Sequence, residues 1–293
     1  MSDGWQRNRR VNEVLHEADV LYLAVAAAKG PHVTPAVFDV DGDRLWFVTP
    51  RRSVKARVID RHRRVGGLVQ FGQWSVVFGG RARIVDPLTA RGIFSPGRLL
   101  DLPFAAAGYL GRNVRHATGT IRDHQAPTLA LSRVLVSVDI RRLALLDGWT
   151  VVDRWGRWDG DDRLVPGAPP AGTTPDLSAI PPGVRNLLGD DSPVALGWNS
   201  PAGPLALPAR WRGGEVETSS EALVIAGATS LSPACVCAER SRYRLKSKQG
   251  VLLTGVGRAR QSDTESAARV SLDVGRTTWW RGEEGHTITA HSA

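Results

Sequence analysis

The stretch LYLAVAAAKGPHVTPAVF, residues 21–38, aligns without a gap with VALGWNSPAGPLALPARW, residues 194–211. The matching turn-forming and aromatic positions are Gly30, Pro31, Pro35 and Phe38 against Gly203, Pro204, Pro208 and Trp211. Two later blocks follow in the same order: VVFGGRARIV meets LLTGVGRARQ, with Gly80 opposite Gly257, and SRVLVSVDIRRLALLDG meets AARVSLDVGRTTWWRGEEG, with Arg133 opposite Arg269. Self-similarity of this kind indicates an internal duplication.

Each repeated block is typical of β-structure, because runs rich in Val, Leu and aromatic residues alternate with Gly, Pro and Asp turns. Short strands at regular spacing favour closed or nearly closed antiparallel barrels, which remove exposed edges. We therefore predict a mostly β protein with a few helices (α+β). The proline-dense segment 166–183 marks a linker. The predicted domains are 1–152 and 189–293, with 153–188 as the linker.

Helical spacing occurs at a few places in the first half. We predict helices at residues 6–16 and at about residues 53–62, the latter with Val54, Val58 and Ile59 on its inner face. A third helix is predicted within residues 97–117, a segment that the second half lacks.

The bulk composition bounds the function classes only loosely. The 293 residues carry a net charge of +9, which suits an anionic cofactor, an acidic partner or nucleic acid. Cys235 and Cys237 are the only cysteines, have no histidine at metal-ligand spacing, and are predicted to pack in a core. The apolar run VLYLAVAAA is too short to span a membrane, so we expect a cytoplasmic protein without a metal site.

The stretch FVTPRRSVKARVIDRHRRV, residues 47–65, combines features that favour an anion. Thr49 ends a predicted strand, Ser53 is a helix N-cap candidate, and Lys55 and Arg57 lie in the first helical turn. Unpaired N–H groups and the helix dipole favour an anion there, and hydroxyls and cations add charge-assisted hydrogen bonds. A solvated, arginine-rich helix start is the alternative interpretation. We call residues 49–55 the corner.

Residues 22–71 followed by VFGGRARIV resemble the pyridoxamine 5′-phosphate oxidase-like family, the FMN-binding split β-barrels. The resemblance covers most of residues 11–150 and, more weakly, 190–293. It implies that Thr49, Ser53 and Lys55 hold the flavin phosphate, with Arg57 as an addition. Family members usually form homodimers with cofactors at the subunit interface, so the resemblance implies two tandem split barrels that form an intrachain pseudo-dimer.

The second repeat departs from the family at the corner. Aligned directly, it places Leu223, Val224 and Ala226 opposite Val54, Lys55 and Arg57. The phosphate cations are absent there. We therefore expect one cofactor site per chain, in which the first barrel binds the cofactor and the second barrel forms the opposite wall of the site.

The first repeat also departs from the oxidase that gives the family its name. That oxidase carries an arginine and a lysine where this chain has Val33 and Phe38, and a glutamine where it has Ser75. The C-terminal arginine and histidine pattern that binds its substrate is also absent. The resemblance thus implies a flavin-dependent oxidoreductase acting on another small molecule, and Ser75 is kept among the candidate cofactor residues.

The resemblance implies FMN as the cofactor, since the serine favours it, with the deazaflavin coenzyme F-420 as the alternative and haem behind both. Small residues around Thr34, Pro35 and Ala36 are expected beside the flavin ring. Large aromatics more often belong to a core, but tryptophans of the second half could also form the other wall, namely Trp198, Trp211, Trp279 and Trp280. No catalytic residue is assigned.

The residues are also compatible with functions other than that of an enzyme. A non-enzymatic flavin or haem sensor or carrier is one, with His62, His116 and His124 as candidate haem ligands. A nucleic-acid-binding module is another, with residues 240–250 as its best basic segment, but a simple exposed hairpin is the favoured interpretation of that segment and a nucleic-acid partner is not expected. No catalytic triad or nucleotide motif is present.

Overall fold

The computed structural model describes residues 4–85, 133–158, 177–227, 231–240, 249–261, 266–282 and 284–289. These residues form two β-sheets and a few short helices. The third predicted helix, at residues 97–117, lies outside the described residues.

The first sheet forms the first barrel. Its strands are β1 Leu21–Ala27, β2 Gly30–Ala36, β3 Phe38–Asp41, β4 Arg44–Pro50, β5 Arg64–Phe71, β6 Trp74–Val85, β7 Arg133–Asp147 and β8 Thr150–Trp155. The pairing order is β2-β1-β5-β6-β7-β4-β3, with β8 added beside β7. β2 and β3 are separated only by Val37, so one bent stretch of chain joins the two ends of the sheet.

The second sheet forms the second barrel. Its strands are β9 Ser192–Ser200, β10 Gly203–Arg212, β11 Glu215–Ser219, β12 Leu231–Arg240, β13 Gln249–Gln261, β14 Ala267–Arg281 and β15 Glu284–Thr289. The pairing order is β11-β10-β9-β12-β13-β14-β15, and β11 also pairs with β14, which closes the barrel. The mostly β fold with two tandem barrels is therefore confirmed.

The repeat is visible in the hairpins that open the two barrels. Ala27 pairs with Gly30 in the first, and Ser200 pairs with Gly203 in the second. Gly30 has φ 119° and Gly203 has φ 125°, a left-handed region that side chains rarely adopt. The alignment of the first block is therefore correct.

The later blocks are shifted relative to the direct alignment. The register of β6 and β7 breaks between Gly79 and Gly80, and that of β13 and β14 breaks between Thr254 and Gly255. Gly80 therefore corresponds to Gly255, and the predicted match with Gly257 is wrong by two residues. The bulges decide the true correspondence, because each adds an extra residue at a fixed place in its ladder.

The two predicted helices that lie within the described residues, at 6–16 and about 53–62, are found within three residues of their predicted bounds, and two further short helices are present. Their bounds are α1 Arg9–Glu17, α2 Val54–Arg61, α3 Pro182–Arg185 and α4 Ser220–Ile225, with 3₁₀ turns at Trp5–Arg7 and Asn186–Leu188. In α2, Ala56 and Ile59 are buried, whereas Val54 is 36% exposed. The prediction that Val54 faces inward is wrong, since the buried face of the helix passes through Ala56 and Ile59.

The two barrels pack directly on each other. Side chains of the first barrel join the apolar core of the second, namely Ala24, Val33, Leu68, Val77, Ala144 and Leu146. Gly66 on β5 lies against the backbone of Pro204 and Leu205 on β10. A packed interface of this kind is what an intrachain pseudo-dimer requires.

The domain boundaries remain predictions. β8 extends the first sheet to Trp155, and residues 159–176 lie outside the described part of the chain. Within the predicted linker, α3 starts at Pro182, where proline fits because a first helical residue needs no N–H partner.

The two cysteines lie in the core of the second barrel. Both are free and fully buried, as predicted, and burial raises the pKa of the Cys235 thiol to about 12. The described residues contain no cluster of His, Cys, Asp and Glu that could hold a metal ion. Among the helices that the structure describes, none has the length and apolar character needed to cross a bilayer.

Candidate functional site

The corner is a tight turn between β4 and α2. The Ser53 N–H donates to the Pro50 carbonyl oxygen at 3.0 Å, which closes the turn. Ser53 is the N-cap of α2, since its Oγ accepts from the Ala56 N–H at 3.2 Å. No acidic residue occupies the first turn of α2, so nothing in that turn complements the positive end of the helix dipole.

Two hydroxyls of the corner are paired. Thr49 is 1% exposed, and its Oγ1 lies 3.0 Å from Ser53 Oγ, with either atom able to donate. A hydroxyl has one donor and two acceptor positions, so the pair retains hydrogen-bonding capacity. The spacing of four residues thus brings the two side chains together as predicted.

Lys55 turns from the helix start toward β2. Its Nζ donates to the Pro35 carbonyl oxygen at 3.1 Å and lies 6.0 Å from the centre of the Phe47 ring. The ammonium group is therefore held between the corner and the strand that was expected to run beside the flavin.

β2 contributes polar side chains on one face. It is an edge strand that pairs with β1 in the described sheet. His32 and Thr34 are opposite Val25 and Leu23, which belong to the core of the first barrel, so all four point to that side. The Oγ1 of Thr34 is buried and has no hydrogen-bond partner. A buried unpaired hydroxyl costs free energy unless a ligand satisfies it.

Charges from both barrels meet near His32. Burial lowers the pKa of His32 to about 4, with further lowering by Lys55 and by Arg276 of β14. Sequence reasoning missed both His32 and Arg276. The alternation that singles out Thr34 also indicates His32, two residues earlier, whereas no local signal identifies Arg276, which comes from the other barrel.

The depressed pKa of His32 gives a pH-dependent stability. Between its ordinary value of 6.5 and about 4, the unfolded chain binds a proton that the folded chain does not. Stability should therefore fall as the pH falls through this window, by up to about 1.4 kcal/mol per pH unit from this residue. Urea unfolding of the parent and of His32→Gln at several pH values tests this, and equal slopes for the two proteins would contradict it.

Three other predicted cofactor residues, Ala36, Arg57 and Ser75, do not contact the corner hydroxyls in any described hydrogen bond. Ala36 packs against the first-barrel core, next to the strand break. Arg57 is exposed, because it follows Lys55 by two residues and so lies on another face of the helix. Ser75 is buried and lies 3.3 Å from Gln70 Nε2, which donates to it.

Ser75 does not join the corner within the first barrel. Thr49 is opposite Val134 on β7, and Ser75 is opposite Leu146 on the same strand. Twelve residues of strand correspond to about 40 Å of chain. Ser75 therefore lies near the far end of β7, beside β8.

The second barrel has no equivalent corner. Thr49 pairs with Val134 on β7, and Thr218 pairs with Ala268 on β14. Val134 and Ala268 correspond when the two repeats are aligned on their β-bulges, so the two threonines occupy the same place in their barrels. Three residues lie between Thr49 and its helix cap Ser53, but Thr218 is followed immediately by the cap Ser219. Three residues of the turn are thus missing in the second barrel.

The missing residues change the helix alignment. Counting from the caps, Glu221 corresponds to Lys55, so the predicted match of Lys55 with Val224 is wrong by three residues. A cation is nevertheless absent, as predicted. The Thr218 hydroxyl donates to the Pro208 carbonyl at 2.6 Å, in the place where Lys55 binds Pro35.

Protein groups fill the start of α4. The Ser219 hydroxyl donates to the Trp149 carbonyl, and the Glu221 carboxylate accepts from the Val151 N–H at 2.6 Å. Both acceptor and donor belong to the hairpin that leads into β8. An acidic side chain and a neighbouring strand therefore occupy the position that the corner leaves for an anion in the first barrel.

Other predicted residues serve packing. Trp198 and Trp211 are buried in the core of the second barrel, whereas Trp279 and Trp280 are partly buried. Residues 240 and 249 pair as the ends of a hairpin, but residues 241–248 are outside the described part. Val33 and Phe38 are buried, so neither position can present a cation. His116 and His124 are also outside the described residues.

The fold agrees with comparisons to known proteins. Residues 7–98 match the family model described as pyridoxamine 5′-phosphate oxidase. This match lies in the first half of the chain, so the first barrel is similar to the pyridoxamine 5′-phosphate oxidase-like family and is joined in tandem to a second barrel. A comparison with curated proteins gives no match.

Several solved structures are similar to parts of the chain. A FAD-binding protein from Mesorhizobium loti is 20% identical, with a TM-score of 0.36, over 50% of this chain and 92% of that one. An FMN-binding protein related to pyridoxamine 5′-phosphate oxidase, from Nostoc punctiforme, is 17% identical, with a TM-score of 0.34, over 47% and 82%. An F-420 reductase is 19% identical, with a TM-score of 0.33, over 46% and 95%.

A flavin phosphate fits the residues at this corner. Thr49, Ser53 and Lys55 provide hydroxyls and a cation beside a helix start, and Thr34 offers a buried hydroxyl that lacks a partner. The pseudo-equivalents of His32 and Thr34 in the second barrel are Leu205 and Leu207, both fully buried. The donor set is thus confined to the first barrel.

Proposed function

We propose that this protein is an FMN-dependent oxidoreductase with one cofactor site per chain. The buried, unpartnered hydroxyl of Thr34 carries the proposal, because it is next in the chain to Pro35, whose carbonyl accepts from Lys55, and a bound group there would give it a hydrogen-bond partner. The family match of residues 7–98 supports the same cofactor class.

Each residue at the corner has a role in this proposal. Thr49, Ser53 and Lys55 bind the phosphate through hydroxyl and ammonium groups. Thr34 donates to a polar atom of the ring system, and Pro35 and Ala36 provide a small, rigid surface beside it. Arg276 adds a positive charge from the second barrel.

FMN, when bound, supplies the hydride chemistry, so the protein needs to orient the substrate and exclude water. His32 stays neutral near pH 7, because its pKa is about 4, and it therefore offers an N–H donor without adding charge. The substrate is a small molecule other than pyridoxamine 5′-phosphate, since Val33 and Phe38 are buried where that oxidase carries cations.

The first test is the identity and stoichiometry of the bound cofactor. The purified protein should show a flavin spectrum or, after removal of any ligand, take up one FMN per chain. Parallel titrations with F-420 and haem distinguish the alternatives, because Lys55 would bind a deazaflavin phosphate equally well. Two equivalents per chain would contradict the assignment of the second barrel. Steep salt-dependent DNA binding without cofactor uptake would favour a nucleic-acid-binding module.

A further inference from the structure

A second basic feature lies at the other end of α2, between the two barrels. A cleft of about 660 Å³ is lined by Arg61, His62, Arg63, Arg64 and Arg81 of the first barrel and by the β9–β10 hairpin of the second. We call it the interbarrel cleft. Its volume is in the range of small-molecule sites. Along α2, Arg61 is about 10 Å from Val54, so the cleft is separate from the corner.

The arginines of the interbarrel cleft lack compensating acids. No Asp or Glu lines it, and none of its arginines forms an ion pair with a residue that the structure describes. Asp139, which is opposite Arg81 on β7, is paired with Arg44, Arg83 and Arg141 instead. The cleft is therefore strongly positive.

The strand register makes this arrangement costly without an anion. Arg64 and Arg81 are directly opposite each other on β5 and β6. Like charges at such a position repel. The positive charge of Arg61 lies in the last turn of α2, where it complements the helix dipole. Arg64 and Arg81 lie on strands, so no helix dipole offsets their repulsion.

The second barrel provides an internal comparison. Counting from the bulge glycines, Pro233 and Val256 correspond to Arg64 and Arg81, and they are likewise directly opposite each other. The fold therefore does not require arginines at this pair of positions.

The wall of the cleft that the second barrel provides offers polar groups. Asn199 has a buried Oδ1 without a hydrogen-bond partner, and Arg64 Nη1 donates to the Pro201 carbonyl at 3.4 Å. No Trp, Tyr or Phe lines the cleft, so the large aromatic platforms on which nucleic-acid bases commonly stack are not provided. Several guanidinium groups match phosphate oxygens, and the Asn199 oxygen would accept from a hydroxyl or amino group.

We propose that the interbarrel cleft binds a small molecule that carries a pyrophosphate group and a hydroxyl or amino group, such as a nucleoside diphosphate. The proposal is independent of the FMN assignment, because it uses residues at the opposite end of α2 and a different part of the second barrel.

Calorimetric titration with inorganic pyrophosphate and with ADP tests the proposal. The parent should bind both probes, and Arg81→Gln should weaken binding at least tenfold. Arg83→Gln is the matched control, since Arg83 lies two residues further along β6, pairs with Asp139 and is absent from the cleft. Lys55→Glu should leave pyrophosphate binding within threefold of the parent, which separates this site from the corner.

Thermal unfolding keeps the test informative if a variant folds poorly. Pyrophosphate should raise the melting temperature of the parent and of Arg83→Gln but not that of Arg81→Gln. Without ligand, Arg81→Gln should melt no lower than the parent, because it removes a repulsion. Absence of binding to the parent at millimolar probe, or equal binding by the parent and Arg81→Gln, would overturn the proposal.

Discussion

Replacing Lys55 by glutamate is expected to weaken FMN binding by about 100-fold or more, which corresponds to the 2–5 kcal/mol typical of a lost charge pair. The change removes the ammonium group beside the two corner hydroxyls and places a carboxylate next to the phosphate. Fluorescence titration of the cofactor-free protein with FMN measures the effect.

The matched control is Arg57→Glu, which makes the same change of charge on an exposed face of the same helix. We expect its affinity for FMN to stay within about threefold of the parent, since exposed charges are screened by solvent and salt. Circular dichroism should show that both variants keep the fold. If Lys55→Glu bound FMN as tightly as the parent, the corner would not be the phosphate site. Equal losses in both variants would indicate an effect of net charge alone.

Replacing Gly66 by alanine is expected to destabilise the protein by about 3 kcal/mol, at the upper end of the range for overpacking. A Cβ on Gly66 would overlap the Pro204 carbonyl oxygen and lie 2.8 Å from Leu205 Cα. Both are backbone atoms of the second barrel, which no rotamer change can move away. Urea unfolding measures the loss.

Gly275→Ala serves as the control, because a Cβ there has no heavy atom within 4 Å and the residue has no positive φ. Its unfolding midpoint should stay close to that of the parent. An unchanged midpoint for Gly66→Ala would mean that the barrels do not pack through β5 and β10. The pair of variants therefore tests the intrachain pseudo-dimer directly.

The corner hydroxyls and the position of Lys55 could be predicted from the sequence, because both follow from structure that is local in the chain. The offset of four residues from Thr49 to Ser53 spans one turn between a strand and a helix cap, so the sequence alone brings these hydroxyls together. The side of the helix that carries Lys55 follows from the same cap. The strands were equally accessible, because alternation and turn residues mark them in both repeats.

The parts that depend on pairing between distant residues could not be predicted. A direct alignment of the repeats cannot show that three residues are missing after Thr218, since the ladder with β14 and the cap of α4 set that length. The β-bulges also shift the later repeat blocks relative to the direct alignment, because their positions are set by the pairing of distant strands. Arg276 reaches His32 only through the packing of the barrels, and Ser75 is distant from Thr49 only because of the register on β7.

The shortened turn of the second barrel has a consequence for how such a protein can change. In a homodimer every substitution appears at both symmetry-related pockets, so a glutamate and a hairpin that seal one pocket would seal the other as well. Joining the two copies in one polypeptide removes that coupling. Here Glu221 and Ser219 bond to the segment around Trp149 at the start of α4, while Lys55 stands at the corresponding place in α2, so the two halves of the chain can differ at this position as the halves of a homodimer cannot.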